Sequence, residues 1–266
     1  MVILDSDHSK EHVLQEMDMY GPLVCVGCYM VVQDTHLNGY PVHVAFSPGP
    51  GKQGPMEAVH EFLARNSDFV VDRDREKYGL TFNPNGWLEA RPLKETLCVS
   101  RIKAWDAVII AVVCLFAGAG SMLWFVTRTF FTNRCASATG NSVVSASRTS
   151  PMPSTASITT SGGSKRWRTR WLGTETMQTP LDLWVVQEIL HETRPDVLME
   201  TGTRLGGGAA YYASIMDLLR HGRILTVDIE NLPGKPEHSR IEYFTGSSTD
   251  PAIVGAMKAK VKVASG

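Results

Sequence analysis

The chain of 266 residues lacks an excess of charge of either sign: 26 Lys and Arg stand against 27 Asp and Glu, for a net charge of -1. Without a basic surplus to meet a phosphate backbone, nucleic acid is not an expected partner. Cysteine is scarce and odd in number, at five. Cys25 and Cys28 form a C-x-x-C with no second pair, so neither a zinc ribbon nor a disulfide framework is expected. The two read as ordinary core or strand thiols in a reducing compartment. There is no Gly-Lys-Ser/Thr of a P-loop and no H-E-x-x-H zinc helix. Nor does a 2-His-1-carboxylate signature offer itself to iron. A composition of 43% hydrophobic and 20% charged residues is that of an ordinary globular chain, long enough for one α/β domain or two small ones.

One segment departs from that picture. The run "AVIIAVVCLFAGAGSMLWFV", residues 107–126, carries no charge and is long enough to cross a bilayer as a helix. Trp105 and Trp124 lie near its ends, as interfacial aromatics do. A transmembrane helix is therefore expected there, with a buried core helix as the alternative. Arg101 and Lys103 precede it and Arg128 and Arg134 follow it, which leaves the orientation open. Being internal, the run is not a cleavable signal peptide. The Ser/Thr-rich stretch 135–164 after it holds too few large apolar residues to build a core and is expected to be a disordered linker. The expected plan is thus two folded parts, 1–96 and 165–266, separated by a membrane segment 97–134 and that linker.

In the later part, "TPLDLWVVQEILHETRPD" has the apolar spacing of a helix, with Thr179 as N-cap and Pro180 at the first helical position. "VLMETGT" reads as a strand entering a turn, "GGAAYYASIMDLLRHG" as a helix stopped by Gly222, and "RILTVDI" as a second strand. This β-α-β order is a Rossmann-type unit. Gly202 permits a tight turn, and Gly206, Gly207 and Gly208 permit a ligand to approach the helix N-terminus. Glu200 at the strand end suits the ammonium of an amino-acid moiety. Asp228 at the next strand end stands where an acid grips ribose hydroxyls. Together they point to an adenosine-containing cofactor; the alternative is a packing turn beside a solvated aspartate.

In the earlier part, Val2-Ile3-Leu4 reads as a buried strand ending in Asp5, Asp7 and His8. "YMVVQDTHLNG" is a second strand ending in Gln33 and Asp34. If the two are neighbours, their ends form an oxygen-rich cluster suited to Mg²⁺. His8, three residues past Asp5, is near enough to act as a base. Asp5 and Asp7 have an alternative role in capping the helix that starts at Ser9. His12 reads as an exposed helix residue.

Both parts resemble the cephalosporin hydroxylase / rhamnosyl O-methyltransferase family of class I S-adenosylmethionine-dependent methyltransferases. The likeness rests on "DLWVVQEILHETRPDVLMETGTRLGGGAAYYASIMDLL", "ILTVDIE" and "PEHSRIEYFTGSSTDPAI", and on "VILDSDHSKEHVLQEMDMYGPLV", "YMVVQDTHLNG" and "AVHEFLARNSDFVVDRDREKYGLTFNPNGWL". In the family the ETGT turn precedes the LDSDH strand; here the order is reversed, as in a circular permutation. The resemblance implies a Rossmann-like sheet with helices on both faces, circularly permuted. It implies S-adenosylmethionine held by Glu200, Gly202, Gly206 and Asp228, with Gly246, Ser247 and Ser248 flanking the adenine. It makes Asp5, Gln33 and Asp34 candidate Mg²⁺ ligands; Asp7 is a further candidate ligand and His8 the candidate catalytic base from their own places beside Asp5. Gln33 stands where metal-dependent members carry Glu, so one negative charge is missing. The implied activity is O-methylation of a sugar, glycolipid or small natural product, by a membrane-anchored protein whose catalytic domain faces the cytoplasm. Two competing expectations are a membrane-tethered, non-catalytic binder of the same cofactor and a non-functional rearranged reading frame. Oligomerisation is left open.

Overall fold

Strand β1 (Val2–Leu4) turns Val2 and Leu4 to one face of a sheet and Ile3 to the other, and all three are buried. A strand covered on both faces belongs inside a parallel, helix-flanked sheet. In the computed structural model, which describes residues 1–37, 52–91 and 169–264, β1 is the centre of such a sheet. After it come α1 (Lys10–Tyr20), a 3-10 turn (Gly21–Leu23), β2 (Tyr29–Val32), α2 (Pro55–Arg65), β3 (Phe69–Val71), a second 3-10 turn (Arg73–Glu76) and β4 (Trp87–Ala90). The later stretch opens with a small hairpin of β5 (Arg170–Trp171) and β6 (Thr174–Glu175). It continues through α3 (Pro180–Thr193), β7 (Val197–Thr201), α4 (Gly207–Leu219), β8 (Arg223–Asp228), β9 (Ile241–Thr245) and α5 (Pro251–Ala264).

The main sheet runs β3-β4-β2-β1-β7-β8-β9. β1 pairs in parallel with both β2 and β7, and β7, β8 and β9 continue in parallel; β4 alone is antiparallel to its neighbours β2 and β3. The expected α/β, Rossmann-like class is therefore met: a mostly parallel central sheet with helices. One face packs Met17 and Tyr20 of α1, Phe62 of α2 and Met257 of α5 against Val2, Leu4, Met30 and Met199. The other packs Ile189 and Leu190 of α3 and Tyr212 and Met216 of α4 against Ile3, Val31 and Leu198. All described residues belong to one compact unit, so the two stretches share both cores.

Local signals place the helices. Thr179 Oγ1 accepts the Asp182 N–H at 3.1 Å and Pro180 follows it, so α3 starts where its cap predicts. Cys25 and Cys28 depart from the expected core or strand positions. They flank a turn closed by the Cys28 N–H on the Cys25 carbonyl, with Cys25 exposed. The expectation of a membrane-anchored protein is corrected. Among the described residues no helix is long and apolar enough to cross a membrane. The segment 107–126, on which that expectation rested, lies outside the described residues, as does the linker 135–164.

Because β1 is shared by the two stretches, damage to it is felt by both. Ile3→Ala, at a fully buried position, is expected to cost about 2–5 kcal/mol. Chemical denaturation should show a single transition shifted for Trp fluorescence and for helix content alike. Separate transitions, only one of them shifted, would contradict a common core.

Candidate functional site

Parallel strands end in the same direction, and here the ends of β7, β8, β1 and β2 open on one cavity of about 720 Å³. Strands on one side of the β1/β7 pair wind away to β9, and those on the other side to β2, so the cavity lies at a topological switch point. The Asp5 N–H donates to the Thr201 carbonyl at 3.1 Å, which carries the β1/β7 pairing to the cavity edge. Gly202, next in line, has φ +84°. A Cβ there would overlap the Asp5 carbonyl oxygen, so only glycine lets the two strand ends approach.

The turn after β7 leads through Gly206, the left-handed N-cap of α4, to Gly208. A Cβ on Gly208 would lie 2.6 Å from Glu200 Oε1. Gly202, Gly207 and Gly208 line the cavity where α4 begins, each against protein atoms that leave no room for a Cβ. Glu200 is buried, and its Oε2 accepts from Thr226 Oγ1 at 2.6 Å. Burial pushes its pKa up to about 8 against the Thr226 hydrogen bond, with the Asp5 and Asp228 carboxylates adding to the rise. Asp228 ends β8 and pins the neighbouring loops. Its Oδ2 accepts the Arg204 N–H at 2.6 Å and its Oδ1 the Glu230 N–H at 2.9 Å. Beyond β9, the Gly246 N–H donates to the Asp228 carbonyl at 2.9 Å, and Ser247 and Ser248 line the cavity.

On the other side of the cavity Asp5, His8 and Asp34 bring metal-capable atoms within 4.8 Å of one another. His8 Nε2 lies 3.2 Å from Asp34 Oδ2 and 3.7 Å from Asp5 Oδ1. Desolvation would lower the His8 pKa, but the two carboxylates outweigh it and raise it well above the usual imidazole value. Burial pushes Asp5 up to about 6, with His8 opposing and Asp34 adding. At Asp34 desolvation is outweighed by His8, with His36 assisting, and the pKa is lowered. Gln33 is buried beside this group and faces the Tyr212 hydroxyl. Asp7 lies outside this group: its Oδ1 accepts the N–H of Ser9 at 2.7 Å, and Ser9, not Asp7, is the N-cap of α1.

Asn83, Asp182, His36, Gln178 and His12, none of them assigned a site role from the sequence, surround these groups. Asp34 has φ 53°, and its N–H donates to Asn83 Oδ1 at 2.9 Å. Asp182 accepts from Thr81 Oγ1 at 2.6 Å and from the Phe82 N–H at 3.0 Å, which ties α3 to the loop carrying Asn83. His36 Nδ1 lies 3.0 Å from the Phe82 carbonyl and 3.6 Å from Asp34 Oδ1. Gln178 faces Asp5 and accepts from Tyr212 Oη at 3.1 Å. His12, read as exposed, is only 24% exposed and sits 3.0 Å from Ser248 Oγ.

A switch-point cavity with a glycine turn on one wall and clustered acids on the other is the arrangement of a Rossmann-like α/β protein. The chain belongs to the Rhamnosyl O-methyltransferase/CmcI family, whose model matches residues 1–91 and 165–265. Rhamnosyl O-methyltransferases of Mycobacterium tuberculosis strain H37Rv and Mycobacterium bovis strain BCG are 46% identical to it over 87 residues, 32% of this chain and 34% of theirs. The rhamnosyl O-methyltransferase of Mycobacterium leprae is 43% identical over 86 residues, 32% of this chain and 36% of its own. The match thus spans about a third of the length of these curated relatives. No solved structure matches the chain.

Glu200 gives a pH test of this site. Its folded pKa of about 8 exceeds the ordinary 4.5, so the folded state holds a proton that the unfolded chain releases at lower pH. The associated stability is complete below that ordinary value and is lost as the pH rises toward the folded one, at up to about 1.4 kcal/mol per pH unit. Glu200→Gln should flatten the slope of denaturation free energy between about pH 5 and pH 8. An unchanged slope would show that Glu200 ionises normally.

Proposed function

We propose that this protein is an S-adenosylmethionine-dependent O-methyltransferase acting on a sugar hydroxyl. The observation that carries the reading is that Glu200, Gly202 and Asp228 line the same cavity as Asp5, His8 and Asp34. A donor wall and an acceptor wall then meet across the β1/β7 pair. Family membership and the names of the curated relatives supply the reaction class and the sugar acceptor.

The residues present fit the cofactor. The absence of a Cβ at Gly202 and Gly208 lets the Asp5 main chain and the Glu200 carboxylate come up against the turn, so that acid, turn and strand end line one cavity. The buried Glu200, protonated in the free protein by its raised pKa, would receive the amino-acid ammonium as a carboxylate. Asp228 would take the ribose hydroxyls with lone pairs not used by Arg204 and Glu230. Ser247 and Ser248, with Gly246 behind them, would form the wall for the adenine. When bound, S-adenosylmethionine supplies an electrophilic methyl group to the acceptor oxygen.

The acid cluster suits a divalent cation in part. Asp5 and Asp34 would hold it, with the Gln33 amide oxygen as a neutral third donor in place of an acid. Such a cation supplies Lewis-acid polarisation of the acceptor hydroxyl. With the Asp5 and Asp34 charge that raises its pKa neutralised by a bound cation, His8, its ring oriented by the same two carboxylates, would take the proton of that hydroxyl as a neutral imidazole. Asp7 would contribute through the helix entry at Ser9 rather than as a ligand.

We propose further that 165–266 is the cofactor half and 1–96 the acceptor half of one domain, joined in permuted order through 97–164. Strand order supports it. With β7, β8 and β9 counted first to third and β1 to β4 fourth to seventh, the sheet order read from β9 becomes 3-2-1-4-5-7-6. That begins as the doubly wound order does.

The test is binding and transfer together. The protein should bind S-adenosylhomocysteine in calorimetry and move a labelled methyl group to a rhamnosyl acceptor. Asp228→Asn should weaken binding by about 1.5–3 kcal/mol, the range for a hydrogen bond to a charged group. Parent and variant binding alike would remove Asp228 from the ribose site.

A further inference from the structure

Behind the Ser248 wall runs a chain of polar side chains that none of these roles uses. Ser6 Oγ donates to Glu16 Oε1 at 2.6 Å. Glu16 lies on α1 with no solvent exposure, and its Oε2 has no hydrogen-bond partner among the described residues. A carboxylate buried in that way needs a proton donor or a cation beside it. The group that supplies one is the His12 imidazole, a helical turn earlier. His12 Nε2 lies 3.5 Å from Glu16 Oε1 and 3.0 Å from Ser248 Oγ. Glu16, with a smaller contribution from Asp7, raises the His12 pKa against desolvation.

The direction of the last bond follows. A ring nitrogen turned to a carboxylate carries the hydrogen. Nε2 is therefore a donor, and Ser248 Oγ accepts from it. Tyr20 Oη, also on α1, donates to the Ser248 carbonyl at 2.8 Å, so the residue is held at two points by one helix. Once its oxygen has accepted from His12, the Ser248 hydroxyl keeps its own hydrogen for the cavity that it lines. The opposite direction, Ser248 donating to His12, would offer the cavity a lone pair instead and would suit an exocyclic amino group.

We propose that His12, oriented by Glu16, is a positioning residue that makes Ser248 a hydrogen-bond donor to a ring nitrogen of the cofactor's purine. The inference rests on the reading of Ser248 as part of the adenine wall. It adds what that reading leaves open: which hydrogen-bonding edge is read, and which residues outside the wall decide it. Ser6, Glu16 and His12 come from one stretch of the chain and Ser248 from the other, so the purine end of the cavity is assembled across both.

The experiment uses the full chain and four probes: S-adenosylhomocysteine and its 1-deaza, 3-deaza and 7-deaza analogues, each with one ring nitrogen replaced by C–H. In calorimetry the parent should bind S-adenosylhomocysteine and lose about tenfold for one analogue, the size of one lost hydrogen bond. That penalty should fall below about threefold in Ser248→Ala, His12→Leu and Glu16→Gln, while the other two analogues keep their ratios to the parent ligand. His12→Gln, which keeps an N–H donor, should retain the penalty. If Glu16→Gln does not fold, His12→Leu and His12→Gln decide. An equal weakening of all four ligands would assign the chain a structural role only and overturn the proposal. So would a parent that shows no deaza penalty, or variants that keep it whole. A parent that does not bind S-adenosylhomocysteine at all would overturn the cofactor reading and the inference with it.

Discussion

Strand β1 has three residues and pairs on both edges, with Val2 opposite Met30 and Met199, and Leu4 opposite Val32 and Thr201. Parallel partners cannot be supplied by hairpins, and the β7 partner comes from nearly two hundred positions later in the chain. Everything at the cavity is referred to this pairing. A slip of one residue would exchange Ile3 with Val2 and Leu4 between the two cores. It would also withdraw the Asp5 carbonyl from Gly202, where backbone meets backbone without room for a Cβ. The acid cluster and the glycine turn are thus held in register by main chain, not by side chains that could relax.

That close approach concentrates acids. Asp5, Asp34 and Glu200 line one cavity, and their pKa values are driven apart rather than together. Glu200, without a cation, is pushed up to about 8 and Asp5 up to about 6, while Asp34 is drawn down by His8. Groups separated in this way can hold different protonation states at one pH, which is what a site needs if one acid receives a cation and another orients a base.

Much of this was legible in the sequence, and the reason is local. Val2-Ile3-Leu4 and "VLMETGT" are apolar runs that end at once in acids or glycine, so strand, strand end and turn can be read without knowing the partners. The Thr179-Pro180 cap acts within one helical turn. What escaped is what depends on distant packing. Asp182 reaches Thr81 and Phe82 across a hundred positions, and Asn83 reaches the Asp34 backbone across nearly fifty. His12 looked exposed because only the fold sets Ser248 beside it. Asp7 carried two readings, ligand and helix cap, because spacing alone does not say that its carboxylate turns back to Ser9. The apolar run 107–126 suggested an anchor by composition, which the helices of the described residues do not provide.

Hydrogen exchange on the full chain, with and without S-adenosylhomocysteine, reports directly on whether the two stretches complete one cavity. A shared cavity predicts that protection rises at the same ligand concentration in residues 5–8, 200–208 and 246–248. Protection confined to 200–208 and 246–248, with 5–8 unchanged, would contradict it.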